Sequence, residues 1–169
     1  MKLRMTYPMR AVHPRTSTRR TTEGTMTSYV HPNGLVGVLV EVNCETRECA
    51  ESVEFKLFAR WIAEHVAAAA PIAVERDQLS AELVARRHRA FVADALASLG
   101  ASDDADAERR AAELVDRRMA EFYRDTVLMD QPWTRDRSIT IGTLTAQVAA
   151  LSGECVRIRR FSRFHMGIA

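Results

Sequence analysis

Arg47, Glu48 and Cys49 stand side by side just after a strand-like run and at the expected entry to a helix. A cation, an acid and a thiol at such a junction could bind an anion or present an activated thiol, because the positive end of a helix attracts negative charge and lowers a thiol's pKa. His31, beside Pro32-Asn33-Gly34, adds an imidazole that exchanges protons near neutrality. Arg47, Glu48, Cys49 and His31 are therefore the candidate catalytic residues if the chain is a catalyst. The same triplet is equally compatible with an ordinary solvated surface. The sequence contains no His-Glu-Xaa-Xaa-His, no nucleotide-binding glycine loop and no nucleophile elbow.

Cys44, Cys49 and Cys155 are odd in number, lack Cys-Xaa-Xaa-Cys spacing and fall on expected core elements. Neither a disulfide framework nor a zinc site follows from that spacing, so no metal and no cofactor are expected, and a reducing cytoplasm fits best. Cys44 and Cys155 read as packed core thiols. His65 and His88 read as helix-surface residues.

Bulk properties narrow the partners. With 24 basic against 22 acidic residues, a formal charge of +2 is too mild to call for nucleic acid. No apolar run approaches the roughly 18 residues of a membrane span. A 169-residue chain with 47% hydrophobic residues can build a core of its own. Residues 1–22 carry Lys2, Arg4, Arg10, Arg15, Arg19 and Arg20 without an acid until Glu23. They are expected to form a basic, disordered arm before a core domain over 23–169; organellar targeting is the weaker alternative, since no apolar stripe accompanies the charge.

The elements that would position the chemistry can be placed from periodicity. Thr25–His31 and Leu35–Asn43 flank Asn33-Gly34, a pair suited to the positive φ angles of a tight hairpin. Val36, Val38, Val40 and Val42 alternate onto one face, which should meet helices; the other face, with Leu35, Gly37, Leu39, Glu41 and Asn43, is mixed enough to meet a partner. Val53, Leu57 and Trp61, with Phe58, Ile62 and Val66, predict a helix over 48–70 that Pro71 ends. Ser80 should cap a helix over 80–99 stopped by Gly100, and acids from Ser102 to Asp106 should open another over 104–124. Thr126–Ser138 reads as a loop. A helix over 140–151, with Leu144, Val148 and Leu151 inward, should close near Gly153. In the final strand, 154–165, Phe161 and Phe164 break the alternation set by Val156 and Ile158, predicting a bulge or a strand covered on both sides. The fold class is α+β, a small antiparallel sheet of about three strands packed by about four helices.

Two blocks carry a resemblance. The first is Tyr29, His31, Gly34 and Glu41-Val42-Asn43-Cys44-Glu45-Thr46; the second is Glu121-Phe122-Tyr123, Asp130-Gln131-Pro132-Trp133 and the run from Gly153 to Phe164. Over residues 23–167 the sequence resembles the core of bacterial translation elongation factor Ts. The resemblance implies the core fold of that family and its activity, guanine-nucleotide (GDP) exchange on elongation factor Tu through protein-protein contact. It also implies that Arg157, Arg159, Arg160 and Arg163 serve salt bridges and solvation of a sheet face.

Three departures bear on function. The family's amino-terminal three-helix ubiquitin-associated-like module is expected to be missing. The frequent Arg after the hairpin glycine is Leu35. The family's Asp-Phe pair after the signature is Arg47-Glu48, and the following Val is Cys49. A charged carboxylate enters an apolar crevice poorly where an aromatic wedge would enter readily. The expectation is thus a divergent exchange factor with weakened or lost activity, its contacts at His31, Asn43, Glu45, Thr46, Arg47, Glu48, Cys49 and Ala50. The rival is a repurposed scaffold serving as a subunit or catalyst with an unrelated partner enzyme in a specialised, secondary metabolic pathway. Either way a homodimer or hetero-oligomer is expected, located in the cytoplasm.

Overall fold

The structure, a computed structural model of the chain, describes residues 21–99 and 105–167. The expectations for residues 1–20, for Gly100 as a terminator and for the acids before Ala105 lie outside them. A three-stranded antiparallel sheet of order β1-β2-β5 is built from β1 (Glu23–Val30), β2 (Val36–Cys44) and β5 (Arg157–His165). Helices α1 (Arg47–Glu51), α2 (Val53–Ala69), α3 (Ala81–Leu99), α4 (Ala105–Thr126) and α5 (Ile141–Ser152) complete an α+β domain, with a two-stranded ribbon of β3 (Pro132–Trp133) and β4 (Asp136–Thr140) beside it.

The valines of β2 are the floor of the core. Val36, Val38, Val40 and Val42 are all buried and pack with Phe55, Phe58, Ile62 and Val66 of α2 and with Ile141 and Leu144 of α5. Burying each such side chain contributes about 1.5–3 kcal/mol, so this layer outweighs any single polar contact in the fold. In β5 the pairing runs Glu41 opposite Arg160 and then Val42 opposite Ile158. Arg159 is the extra residue of a β-bulge, which lets both Ile158 and Phe161 face the helices.

The hairpin differs from the expected tight turn. His31 and Val36 close a four-residue loop, with the Gly34 N–H bonded to the His31 carbonyl at 2.8 Å, and Gly34 alone takes a left-handed φ, of 72°. Pro32 sets the backbone for a right-handed first corner, so Asn33 has no need of positive φ. At the other end of β1, Gly24 is required by proximity, since a Cβ there would lie 2.2 Å from the Val42 carbonyl oxygen.

The single helix expected over 48–70 is two. Ser52 takes an extended ψ of 149°, donates its hydroxyl to the Cys49 carbonyl at 2.8 Å and accepts the Phe55 N–H at 3.2 Å, ending one helix and starting the next. This offset turns Phe55, not Val53 or Leu57, to the core; Val53 and Leu57 are exposed. The α2 helix stops at Ala70 in a left-handed conformation before Pro71, whose ring disfavours a helical residue ahead of it. Ser80 accepts the Leu83 N–H and caps α3 as expected. Gly153 ends α5, but Leu151 is exposed.

Helices α3 and α4 form a hairpin with a small core of its own, Ala95, Ala111, Val115 and Met119. It joins the body through Ala73, Leu79 and Val127. The segment expected as a loop over 126–138 instead holds a 3-10 turn at Leu128–Asp130 and the first part of the ribbon, whose Trp133 packs on Trp61 with ring centroids 5.2 Å apart.

His65, expected on a helix surface, is completely buried. Its Nε2 donates to Gln131 Oε1 at 3.0 Å, and its Nδ1 accepts the Thr134 N–H at 3.3 Å. Gln131 in turn donates to the Ala69 and Asp125 carbonyls, so one polar pair ties α2, the end of α4 and the ribbon together. Burial holds the imidazole below its ordinary value of 6.5, opposed in part by the Gln131 acceptor. The unfolded chain takes up a proton near that pH which the folded chain refuses. Stability is therefore full above it and falls as pH drops toward the folded-state value. His65→Ala is expected to lower the unfolding free energy by about 2–4 kcal/mol in urea melts at neutral pH. It should also remove part of the wild-type loss of stability between about pH 7 and 5.5; a melt with unchanged pH dependence contradicts this assignment.

Candidate functional site

The candidate residues lie on two regions that β2 separates. His31 is exposed at the hairpin tip, where Nδ1 accepts the Asn33 N–H at 3.3 Å. Asn43 to Ala50 lie at and beyond the far end of β2, about 25 Å away at the usual strand rise. The structure does not bring His31 into one patch with the others.

The far region is a corner made by the end of β2, the turn Glu45-Thr46 and the short α1. Thr46 caps α1 by accepting the Cys49 N–H on its hydroxyl at 3.2 Å. The turn is gripped from 108 residues away by Glu154. One carboxylate oxygen of Glu154 accepts the Glu45 and Thr46 N–H groups at 3.0 and 3.1 Å, and the other accepts the Thr46 hydroxyl at 2.5 Å. The grip is reciprocal, because the Cys155 N–H donates to the Glu45 carboxylate at 2.9 Å. Asn43 adds a bond from its side-chain amide to the Glu23 carbonyl at 3.3 Å.

This arrangement sorts the candidates by direction. Thr46, Arg47 and Glu48 are exposed, whereas Cys49 and Ala50 are buried and face the core. Arg47 pairs with Glu51 one helical turn on, at 2.8 Å, with both side chains mostly in solvent. The thiols run against the expectation that a helix start lowers a thiol's pKa. Burial foremost, with the neighbouring Cys49 and the Glu154 charge, pushes the Cys44 thiol up to about 12, and burial likewise raises Cys49. Both are protonated near neutrality and are poor nucleophiles. Cys44 donates to the Thr46 carbonyl at 3.2 Å.

Comparison with known proteins decides the family of the chain. Residues 12–168 match the sequence model of the family described as elongation factor TS. Elongation factor Ts of Solidesulfovibrio magneticus is 36% identical over 149 residues, covering 88% of this chain and 72% of that protein. The same factor of Desulfosudis oleivorans is 34% identical over 151 residues, covering 89% and 73%, and that of Geotalea uraniireducens 36% identical over 151 residues, covering 89% and 67%. The chain belongs to the elongation factor Ts family.

In this member of the family the signature Glu41–Thr46 is mostly tied into the framework, by burial or by hydrogen bonds. Val42 and Cys44 are buried, and Glu45 and Thr46 meet Glu154. Three arginines of β5 do what the resemblance implied: Arg160 and Arg159 approach Glu41 at 2.7 and 3.6 Å, and Arg157 approaches Glu75 at 3.8 Å. Arg163 does not: it lies opposite Val38 on the helix-facing side and donates to the Ala67 carbonyl. Glu154 was not singled out from the sequence, although it stands in the second matching block. The only signal was an acid directly after the helix-ending Gly153, and its partners are far away in the chain.

Burial raises the Glu154 pKa, but the Thr46 hydroxyl and N–H, the Glu45 N–H and the Cys49 thiol outweigh it, so the carboxyl lies below its ordinary value of 4.5. The stability this contributes is present above that value and is lost as pH falls through the folded-state pKa. Glu154→Gln keeps the shape and removes the charge. It should cost about 1–2 kcal/mol at neutral pH, allowing for partial solvent exposure. The gap from wild type should close on acidification; an equal gap at every pH rules out the charge as the cause.

Proposed function

We propose that this chain acts by protein-protein contact with elongation factor Tu in the cytoplasm, through the corner formed by Thr46, Arg47 and Glu48, and that its ability to expel GDP is weak or lost. The observation that carries the second half is the exposed, charged pair Arg47-Glu48 at the start of α1. By the resemblance, this is where the family places an acid followed by an aromatic wedge. A wedge works by burying its ring beside the partner's nucleotide site. Glu48 would have to carry a carboxylate there, at a cost of several kcal/mol unless it found a partner. The Arg47-Glu51 pair also gives this corner a cation in place of the family's acid.

The test is release of a fluorescent GDP from elongation factor Tu. Added at micromolar concentration, the chain is expected to accelerate release little or not at all, while Arg47→Asp with Glu48→Phe should raise the rate by at least about tenfold, equivalent to ~1.4 kcal/mol of barrier. Strong acceleration by the unaltered chain rejects the proposal of lost exchange. Absence of any binding to elongation factor Tu rejects the partner.

The same reading includes self-association through the sheet face that the helices leave open. Alternation puts Met26 and Val30 of β1, Leu39 of β2, and Phe164 with the following Met166 on this face, all exposed. Phe164 is 71% and Met166 70% exposed. Val30 and Phe164 flank Gly37, which leaves a notch between them. Ser28, Glu41, Arg160 and Ser162 share this face, so its apolar part centres on Val30, Leu39, Phe164 and Met166; such an exposed patch is a liability for a lone molecule, and a second copy of the same face covers it by two-fold symmetry. Light scattering on the eluting protein should give twice the chain mass. Phe164→Glu should weaken the pairing by about tenfold or more without changing the circular dichroism; a monomer in the unaltered protein overturns it.

A further inference from the structure

The Sγ atoms of Cys44 and Cys49 and a carboxylate oxygen of Glu154 lie within 4.8 Å of one another. These residues come from the end of β2, from α1 and from the approach to β5, and both cysteines are buried. From this convergence we propose that Cys44, Cys49 and Glu154 form a binding site for a thiophilic divalent cation of the zinc class. The site is independent of whether the chain acts on elongation factor Tu.

The donor set is the first argument. Two sulfurs and one carboxylate oxygen suit zinc and its borderline neighbours and not calcium or magnesium, which prefer all-oxygen shells. In a tetrahedral site with metal–sulfur bonds near 2.3 Å, ligand atoms stand about 3.5–3.8 Å apart. From separations of at most 4.8 Å, the three atoms would therefore close in by no more than about 1.3 Å.

The second argument is support behind the ligands. A carboxylate that binds a metal is held in orientation by further hydrogen bonds. Glu154 has them already: the Glu45 and Thr46 N–H groups hold one oxygen and the Thr46 hydroxyl holds the other. Glu45 is itself anchored by the Cys155 N–H. These donors also offset negative charge, which matters because two thiolates and a carboxylate exceed the charge of one divalent cation by one. On binding, each thiol loses its proton to solvent and each sulfur forms one bond to the cation; no electrons change hands, and one coordination position is left for water.

Cys49 separates this chain from the pattern it resembles, in which a valine stands at that position. Cys49→Val is thus a near-isosteric removal of one ligand at a site already packed with apolar groups. Co2+ is the probe, added to fully reduced protein under argon. The wild type is expected to take one equivalent with thiolate-to-cobalt charge-transfer absorption in the near ultraviolet, displaced by Zn2+. The absorption should vanish in Cys49→Val and persist in Cys155→Ser. No charge-transfer absorption in the wild type, or the same absorption in Cys49→Val, overturns the site. Should Cys49→Val fail to fold, the wild type alone decides: an unfolding temperature that Zn2+ leaves unchanged also overturns it.

Discussion

Glu154 bonds to three donors of a turn more than a hundred residues earlier, and the geometry of the elongation factor Ts signature depends on that contact. A turn between a strand and a short helix leaves N–H groups with no partner in either element, and leaving them unmet near the core costs more than an average hydrogen bond returns. Glu154 answers two of them with one oxygen. The Thr46 hydroxyl bonds to Glu154 and caps α1 as well, so the turn, the helix start and the entrance to β5 are fixed as one unit. With β5 held in this way, its bulge at Arg159 falls where Ile158 and Phe161 can both join the core.

A second polar lock holds the opposite end of α2. His65 and Gln131 are buried together and reach the Ala69 and Asp125 carbonyls and the Thr134 N–H. The two locks differ in chemistry. One is a carboxylate near the surface that must stay charged; the other is an imidazole in the core that must stay neutral. Acid therefore acts against both. The apolar layer supplies most of the stability, but Phe55, Phe58, Ile62 and Val66 against four valines would tolerate sliding. The locks choose one position among the close-packed alternatives.

What could be read from the chain follows from how local each cause is. The valine alternation of β2, the Ser80 cap and the Gly153 stop are written within a few residues, and each is where the sequence placed it. The bulge was legible because two phenylalanines in one short strand could not both obey a period of two. The break at Ser52 was hidden, since the apolar period of α2 runs on through it and only hydroxyl bonds to Cys49 and Phe55 reveal the cap. His65 looked like a surface residue because its partner lies 66 positions away. The two-residue strand at Pro132-Trp133 is too short to show any period. The corner was half legible: Val42 and Cys44 were read as core and are buried, Cys49 and Ala50 were expected at a contact surface and face inward instead, and Glu154 was missed.

The contrast between the signature, held by the framework, and the exposed pair that follows it explains how the fold can stay while the surface chemistry beside it changes. Val42, Cys44, Glu45 and Thr46 are held by packing or by Glu154, so replacing any of them disturbs the fold. Arg47 and Glu48 project into solvent, where substitutions cost little. Even the unfavourable cation at the start of α1 is moderated, because Arg47 meets Glu51 a turn later while Glu48 supplies the acid that a first turn favours. Stability therefore places almost no constraint on the two residues that the resemblance makes decisive for exchange. A chain can keep every inward residue of the signature, remain well folded, and still present a partner with a surface of reversed chemistry.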